Sequence, residues 1–232
     1  MSITEPPRIA RFTVRRFARC AVRGPSDPAA VRELWIVLHG YGQLATEFAA
    51  IFGPQNVDDG TRLIVAPEGL SRFYDARSKP EAHAEASVGA SWMTREERTF
   101  EIEDQIAWLQ QAFEAFVGPL PRTVPVTVLG FSQGVAAASR WVASGQVHAS
   151  RLICWGAALA PELDIGPASP LRRSQLYLVL GLRDRYASPE RVTAERARLD
   201  AAGLPYRFLS FEGGHRLDDA TLKAIAADGT AP

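Results

Sequence analysis

Seven apolar runs, most only five to seven residues long and apolar almost without interruption, constrain this chain more than any other feature. They span 10–22, 34–38 (LWIVL), 62–66 (RLIVA), 124–130 (VPVTVLG), 151–156 (RLICWG), 175–180 (QLYLVL) and 205–210 (PYRFLS). Short, continuously apolar strands fit a sheet buried on both faces. Helical periodicity fills several of the gaps. Residues 98–116 place Phe100, Ile102, Ile106, Leu109, Phe113 and Phe116 near one stripe. Residues 133–144 are alanine-rich and apolar nearly all round, as in a helix packed tightly on a sheet. Residues 188–202 open with Ser188, Pro189 and Glu190, an N-cap, a first-turn proline and an early acid, and 217–227 read as a short terminal helix. The alternation predicts βαβ units in one α/β domain over 1–232, with a mostly parallel sheet and helices on both faces.

The run at 10–22 differs from the rest. Ala10, Phe12, Val14, Ala18, Cys20 and Val22 alternate at period two, with Arg16 breaking the face, which predicts an edge strand carrying a charged guard. Its arginine density also fits a transit peptide, but the alternation favours the strand. Formal net charge is zero, so no global field points to nucleic acid or an anionic membrane. No apolar run is long enough to span a bilayer. Cys20 and Cys154 lie far apart, each in a strand-like run, and read as free thiols of a cytoplasmic protein. His39, His83, His148 and His215 show no metal-ligand spacing, so no metal is expected.

Residues 130–134 read GFSQG, directly after the run at 124–130. A serine hydroxyl is barely ionised at neutral pH and needs a base within reach and a third group to orient that base. A sharp strand-to-helix turn flanked by Gly130 and Gly134 would expose Ser132. His215, in FEGGH after the last run, is the candidate base, because loops at the C-terminal ends of parallel strands share one edge. His83 falls in a polar stretch and His148 at the opposite edge. Asp184, in GLRDR after the run at 175–180, is the candidate acid; Arg183 and Arg185 offer the alternative of a surface ion pair, and Asp164 is the second candidate. The backbone amides of Tyr41, in HGYG after 34–38, and of Gln133 are candidate donors to an oxyanion. The same stretch, Gly40 to Ala45, also matches a dinucleotide fingerprint with Asp58 and Asp59 about twenty residues on, but that reading leaves GFSQG, Asp184 and GGHRL without a role.

The stretch 69–97 is too long for an ordinary connection. It is expected to form a loop over the site with a mobile middle near Lys79 to Ser87, and Tyr74, Trp92 and Met93 within it are candidates to line a pocket.

Together, HGYG, GFSQG, GGHRL and the Ser91-Trp92-Met93 segment followed by the acidic stretch 101–104 resemble the carboxylesterase/phospholipase branch of the α/β-hydrolases, which includes the acyl-protein thioesterases. The resemblance runs from the strand at 34–38 to His215. It implies an α/β-hydrolase fold without a separate cap domain and a catalytic triad of Ser132, Asp184 and His215. It further implies an enzyme cleaving small-molecule acyl esters or thioesters with no cofactor, no nucleic-acid partner and no membrane span. The chain departs from the branch at Val135, where a further glycine is frequent, and at Leu180-Gly181, where histidine-glycine is frequent. The rival expectation is a non-catalytic binding protein on the same scaffold.

Overall fold

The structure is a computed structural model, and it describes residues 8–75 and 86–228. Seven strands form the main sheet: β1 (Cys20–Arg23), β2 (Glu33–Leu38), β3 (Arg62–Pro67), β6 (Val126–Phe131), β7 (Arg151–Trp155), β8 (Gln175–Gly181) and β9 (Tyr206–Phe211). Their order is β1-β3-β2-β6-β7-β8-β9, parallel throughout except for β1, which runs antiparallel to β3. Two further strands, β4 (Ser71–Tyr74) and β5 (Val88–Ser91), form a separate antiparallel ribbon. The helices are α1 (Ala45–Ile51), α2 (Arg98–Val117), α3 (Gln133–Ala143), α4 (Pro189–Ala201) and α5 (Asp219–Asp228).

Alternation along the strands divides the core in two. Leu34, Ile36 and Leu38 of β2 point to one face with Val128, Leu152, Leu176 and Leu178, where Leu109 of α2, Trp141 of α3 and Leu199 of α4 cover them. Trp35 and Val37 point to the other face with Leu129, Ile153 and Val179, beneath Phe48 and Phe52 of α1 and Leu222 and Ile225 of α5. The strands are apolar without interruption because both faces are roofed. This is the expected α/β architecture with helices on both faces.

The edge strand is shorter than the alternation predicts. Only Cys20–Arg23 pairs, because β3 ends at Pro67, opposite Cys20, and a longer antiparallel strand would find no partner beyond it. A last bond runs from the Glu68 amide to Arg19 O (3.0 Å), and residues 8–19 lie outside the sheet. The run at 124–130 also starts later than expected. Pro125 has no N–H to donate, although its carbonyl accepts from the Leu34 amide at 3.0 Å.

At the N-terminal edge of the sheet, Glu33 is buried between two arginines. Arg62 Nε donates to Glu33 Oε2 (3.0 Å), Thr127 Oγ1 donates to Oε1 (2.7 Å), and Arg151 pairs with the same carboxylate. Arg62 and Arg151 also donate to Ala226 O (3.0 Å) and Ile225 O (2.7 Å), tying the last turn of α5 to the sheet. The loop that carries His215 leads directly into that helix.

Candidate active site

The turn from β6 into α3 places Ser132 at φ 53°, ψ −117°, a backbone conformation that costs a non-glycine residue about 1–3 kcal/mol. The turn is as tight as the flanking glycines suggest. A Cβ on Gly130 would stand 2.4 Å from Gly134 O, and one on Gly134 would stand 2.3 Å from Leu38 O and 2.6 Å from His39 O. The second glycine therefore lets the end of β2 and the HGYG loop pack against the start of α3. The Ser132 amide donates to Trp155 O (2.8 Å), holding the turn to the end of β7.

His215 and Asp184 meet. His215 Nδ1 lies 2.6 Å from Asp184 Oδ2, and the Asp184 side chain is 1% exposed. Its other oxygen accepts from the Tyr186 amide (2.8 Å). With a carboxylate on Nδ1, the proton sits there and Nε2 is left as the basic nitrogen. The two loops are knitted together by the Arg183 amide donating to Gly213 O (2.8 Å) and the Leu182 amide donating to Phe211 O (2.9 Å). The ion-pair reading of Asp184 does not hold: Arg183 pairs with Glu212, and Arg185 donates to the Tyr186 hydroxyl. Asp164, the second candidate acid, closes its own turn by accepting from the Gly166 amide (2.8 Å).

The imidazole of His215 packs between the rings of Phe131 (4.9 Å between centroids) and Tyr186 (4.7 Å). It also lies so close to Gly156 that a Cβ there would stand 3.0 Å from its Cε1. Phe131 and Gly156 flank the Ser132 turn, one preceding it in β6 and the other following Trp155. Among the described residues neither Ser132 Oγ nor His215 Nε2 makes a hydrogen bond. Such contacts are often long in unliganded sites.

His39 is a structural part of this arrangement. It is fully buried, its Nε2 accepts from the Gly69 amide (3.0 Å), and its Nδ1 donates to Gly40 O (2.8 Å). Burial pulls its pKa below the ordinary range, against the opposing pull of the Gly40 bond and the charge of Glu68, so it stays neutral. Gly40 N–H donates to Gln43 Oε1 (2.8 Å) and the Gly42 amide donates to Ala90 O (2.9 Å), which fixes the HGYG loop. The amides of Tyr41 and Gln133 have no acceptor among the described residues; the second is one of the free donors at the start of α3.

The stretch 69–97 contains the β4–β5 ribbon, an element its composition hid. Most of the expected mobile middle, residues 79–85, lies outside the described residues, as does His83. The foot of the ribbon is fastened to the Ser132 turn by the Gln133 side chain. Its Nε2 donates to Ser91 Oγ (3.0 Å) and Met93 O (2.9 Å), and its Oε1 accepts from the Trp92 amide (3.1 Å). Sequence reasoning gave Gln133 only a backbone role. The signal was available in the pairing of an amide side chain after the serine with a Ser-Trp-Met segment that needs fixing.

A cavity of about 340 Å³ opens beside Ser132. Ala157, Leu178, Leu180, Val192 and Phe208 give it an apolar wall, and Arg191 and Glu195 of α4 stand at its rim. The three residues expected to line a pocket do not line this one. Trp92 is 2% exposed, donates through Nε1 to His39 O (2.8 Å) and lies tilted against the His39 ring (4.9 Å between centroids); it packs the loop down instead. The Met93 sulfur faces Arg140, and Tyr74 stands exposed on the ribbon. The dinucleotide reading also loses its acid. Asp58 and Asp59 close turns, accepting from the Gly60 and Thr61 amides, and pair with Arg23 and Arg62, on the edge of the sheet opposite the glycines. No cluster of histidine, cysteine or acidic side chains suited to a metal ion occurs among the described residues. No described helix is long and apolar enough to cross a membrane.

No protein-family model matches the chain, and no curated protein is similar to it in sequence. Solved structures are similar in fold. A carboxylesterase from Mesorhizobium loti superposes with a TM-score of 0.65 at 18% identity, over 87% of this chain and 90% of its own. Acyl-protein thioesterase 2 from Zea mays gives 0.64 at 16% identity over 91% and 97%, and a phospholipase/carboxylesterase from Dyadobacter fermentans gives 0.63 at 14% identity over 93% and 97%. The chain thus has the α/β-hydrolase fold that these structures share.

Proposed function

We propose that this protein is a serine hydrolase of carboxylic esters or thioesters with small acyl groups. The observation that carries the reading is the buried Asp184 carboxylate on His215 Nδ1, beside a serine held at positive φ. Ser132 Oγ attacks the acyl carbonyl as His215 Nε2 takes its proton, and Asp184 stabilises the imidazolium that forms. The Tyr41 and Gln133 amides donate to the tetrahedral oxyanion, each worth about a hundred- to a thousandfold in rate. His215 then protonates the leaving alcohol or thiol, and the acyl group remains on Ser132 until water, activated by the same imidazole, releases the acid. No step calls for a metal or an organic cofactor.

The cavity supports the acyl class. Its volume, about 340 Å³, lies at the small end of ligand pockets, which span about 300–1,000 Å³. Its apolar wall suits a short alkyl or aryl group. Hydrolysis of activated nitrophenyl esters of increasing acyl length tests the reading. Turnover should be highest for short acyl groups, and Ser132→Ala should lower it by about a thousandfold or more. Turnover by folded wild type no faster than buffer would favour a non-catalytic binder, and activity that rises steadily to long acyl chains would favour a lysophospholipase with the same triad.

A further inference from the structure

Residues 8–17 are all exposed and belong to no helix or sheet. Side chains that would ordinarily seek cover stand in solvent there: Ile9 is 68% exposed, Phe12 84%, Val14 78% and Phe17 98%. Exposed apolar clusters of this kind mark binding surfaces. Their setting is strongly basic. Six arginines and no acidic residue occur between positions 8 and 26, although the whole chain is neutral. Three of these arginines are occupied: Arg11 forks onto Glu97 (3.0 and 2.8 Å) and lies over the Phe100 ring, Arg19 forks onto Glu68, and Arg23 of β1 pairs with Asp58 (3.5 Å). Arg8, Arg15 and Arg16 have no partner among the described residues.

Arg11 and Arg19 fix where the arm lies. Because β1 is antiparallel, its first residue Cys20 sits beside Pro67 at the C-terminal end of β3. The arm therefore leaves the sheet at the edge that carries Ser132, Asp184 and His215. Other exposed apolar side chains share that edge: Tyr41 after β2, and Leu182 and Tyr186 after β8. Among the described residues, no large apolar side chain is exposed in the loops of the opposite edge.

We infer that this face docks on an anionic lipid–water interface, with the arm as its anchor. Phenylalanine side chains enter the headgroup–acyl boundary while the three unpaired arginines meet acidic headgroups. Charge complementarity selects the occupant: a second copy of this chain would bring the same unpaired arginines to the contact. Docked in this way, the nucleophile edge faces the surface.

Sedimentation of the full chain with vesicles tests this, and reads binding without turnover, so it stands apart from the proposed chemistry. Phosphatidylcholine vesicles containing phosphatidylserine should bind the protein at least tenfold better than phosphatidylcholine alone, and the binding should weaken with salt. Replacing Arg8, Arg15 and Arg16 together by glutamine should cost roughly a hundredfold, at about fivefold per arginine. Phe12→Ser with Phe17→Ser should cost at least tenfold with no change in melting temperature or in hydrolysis of a soluble ester, since the arm is outside the core. Absence of binding at low salt, equal binding to neutral vesicles, or binding indifferent to both variants overturns the inference. So does concentration-dependent dimerisation that the phenylalanine variant abolishes, since the face would then be covered by a second copy.

Discussion

Replacing Gln133 by alanine separates two roles carried by one residue. The backbone amide at the start of α3 survives the change, so the proposed oxyanion donor is kept. What is lost is the clasp on residues 91–93. The Trp92 amide loses its acceptor, and the bonds to Ser91 Oγ and Met93 O disappear. A buried donor left without a partner costs about 1–3 kcal/mol, and each remaining bond contributes about 0.5–1.5 kcal/mol. The site is only half-buried and water can re-enter, so the loss falls near 2–4 kcal/mol. For a chain of this length that lowers Tm by roughly 5–15 °C. Ester turnover should fall by about ten- to a hundredfold, because the segment packed against the nucleophile turn shifts, but far less than in Ser132→Ala. Thermal unfolding by circular dichroism and steady-state hydrolysis measure the two effects. A cycle with Ser91→Ala should show coupling of about 1 kcal/mol, since the two side chains bond directly through Ser91 Oγ. A Tm within about 2 °C of wild type, with no coupling, would refute the clasp.

Other perturbations follow from the same geometry. Gly134→Ala drives a Cβ into two backbone carbonyls, so it should cost at least about 1–3 kcal/mol and most of the activity, seen as a lowered Tm and lost turnover. Ser132→Gly relieves the positive-φ strain at the expense of backbone entropy, so it should abolish turnover while leaving stability unchanged or higher by up to about 2 kcal/mol in denaturant melts. Glu162 is held down to about 2: burial opposes its ionisation, but Arg140 and then Arg98 outweigh burial. A depressed carboxylate adds stability above its ordinary pKa and loses it on acidification, so the gap in Tm between wild type and Glu162→Gln should be full above about pH 4.5 and close toward pH 2. Burial raises the Cys20 thiol to about 11 and the Cys154 thiol further, so neither should react with a disulfide reagent at pH 8 until the protein is unfolded.

The sheet was legible because strands buried on both faces leave an uninterrupted apolar signature. Four candidate parts of the site stood out in the sequence because each sits directly after such a strand, and a parallel sheet gathers those ends. What the chain hid has physical reasons. Helix α1 is seven residues long and follows glycines, too short to show a period. The ribbon strands, SRFY and VGAS, are four residues each, too short to show a period. The cavity wall comes from the loop after β7, with β8, α4 and β9, so no local pattern announces it, whereas the aromatic residues of 69–97 stood out locally and proved to be packing or ribbon. Arg62 and Arg151 read as strand starts, and their convergence on Glu33 depends on strand order. The arm at 8–19 alternates like a strand, but β3 offers it no partner beyond Pro67, and a net charge of zero concealed its local excess of arginine.

The central claim is that Ser132 is a nucleophile driven by His215 and Asp184. Intact-mass analysis after exposure to a fluorophosphonate tests it without any assumption about substrate. One adduct per chain should form, mapped to Ser132, absent in Ser132→Ala and formed far more slowly in folded His215→Ala. An unlabelled wild type, or an adduct that persists in Ser132→Ala, would contradict it.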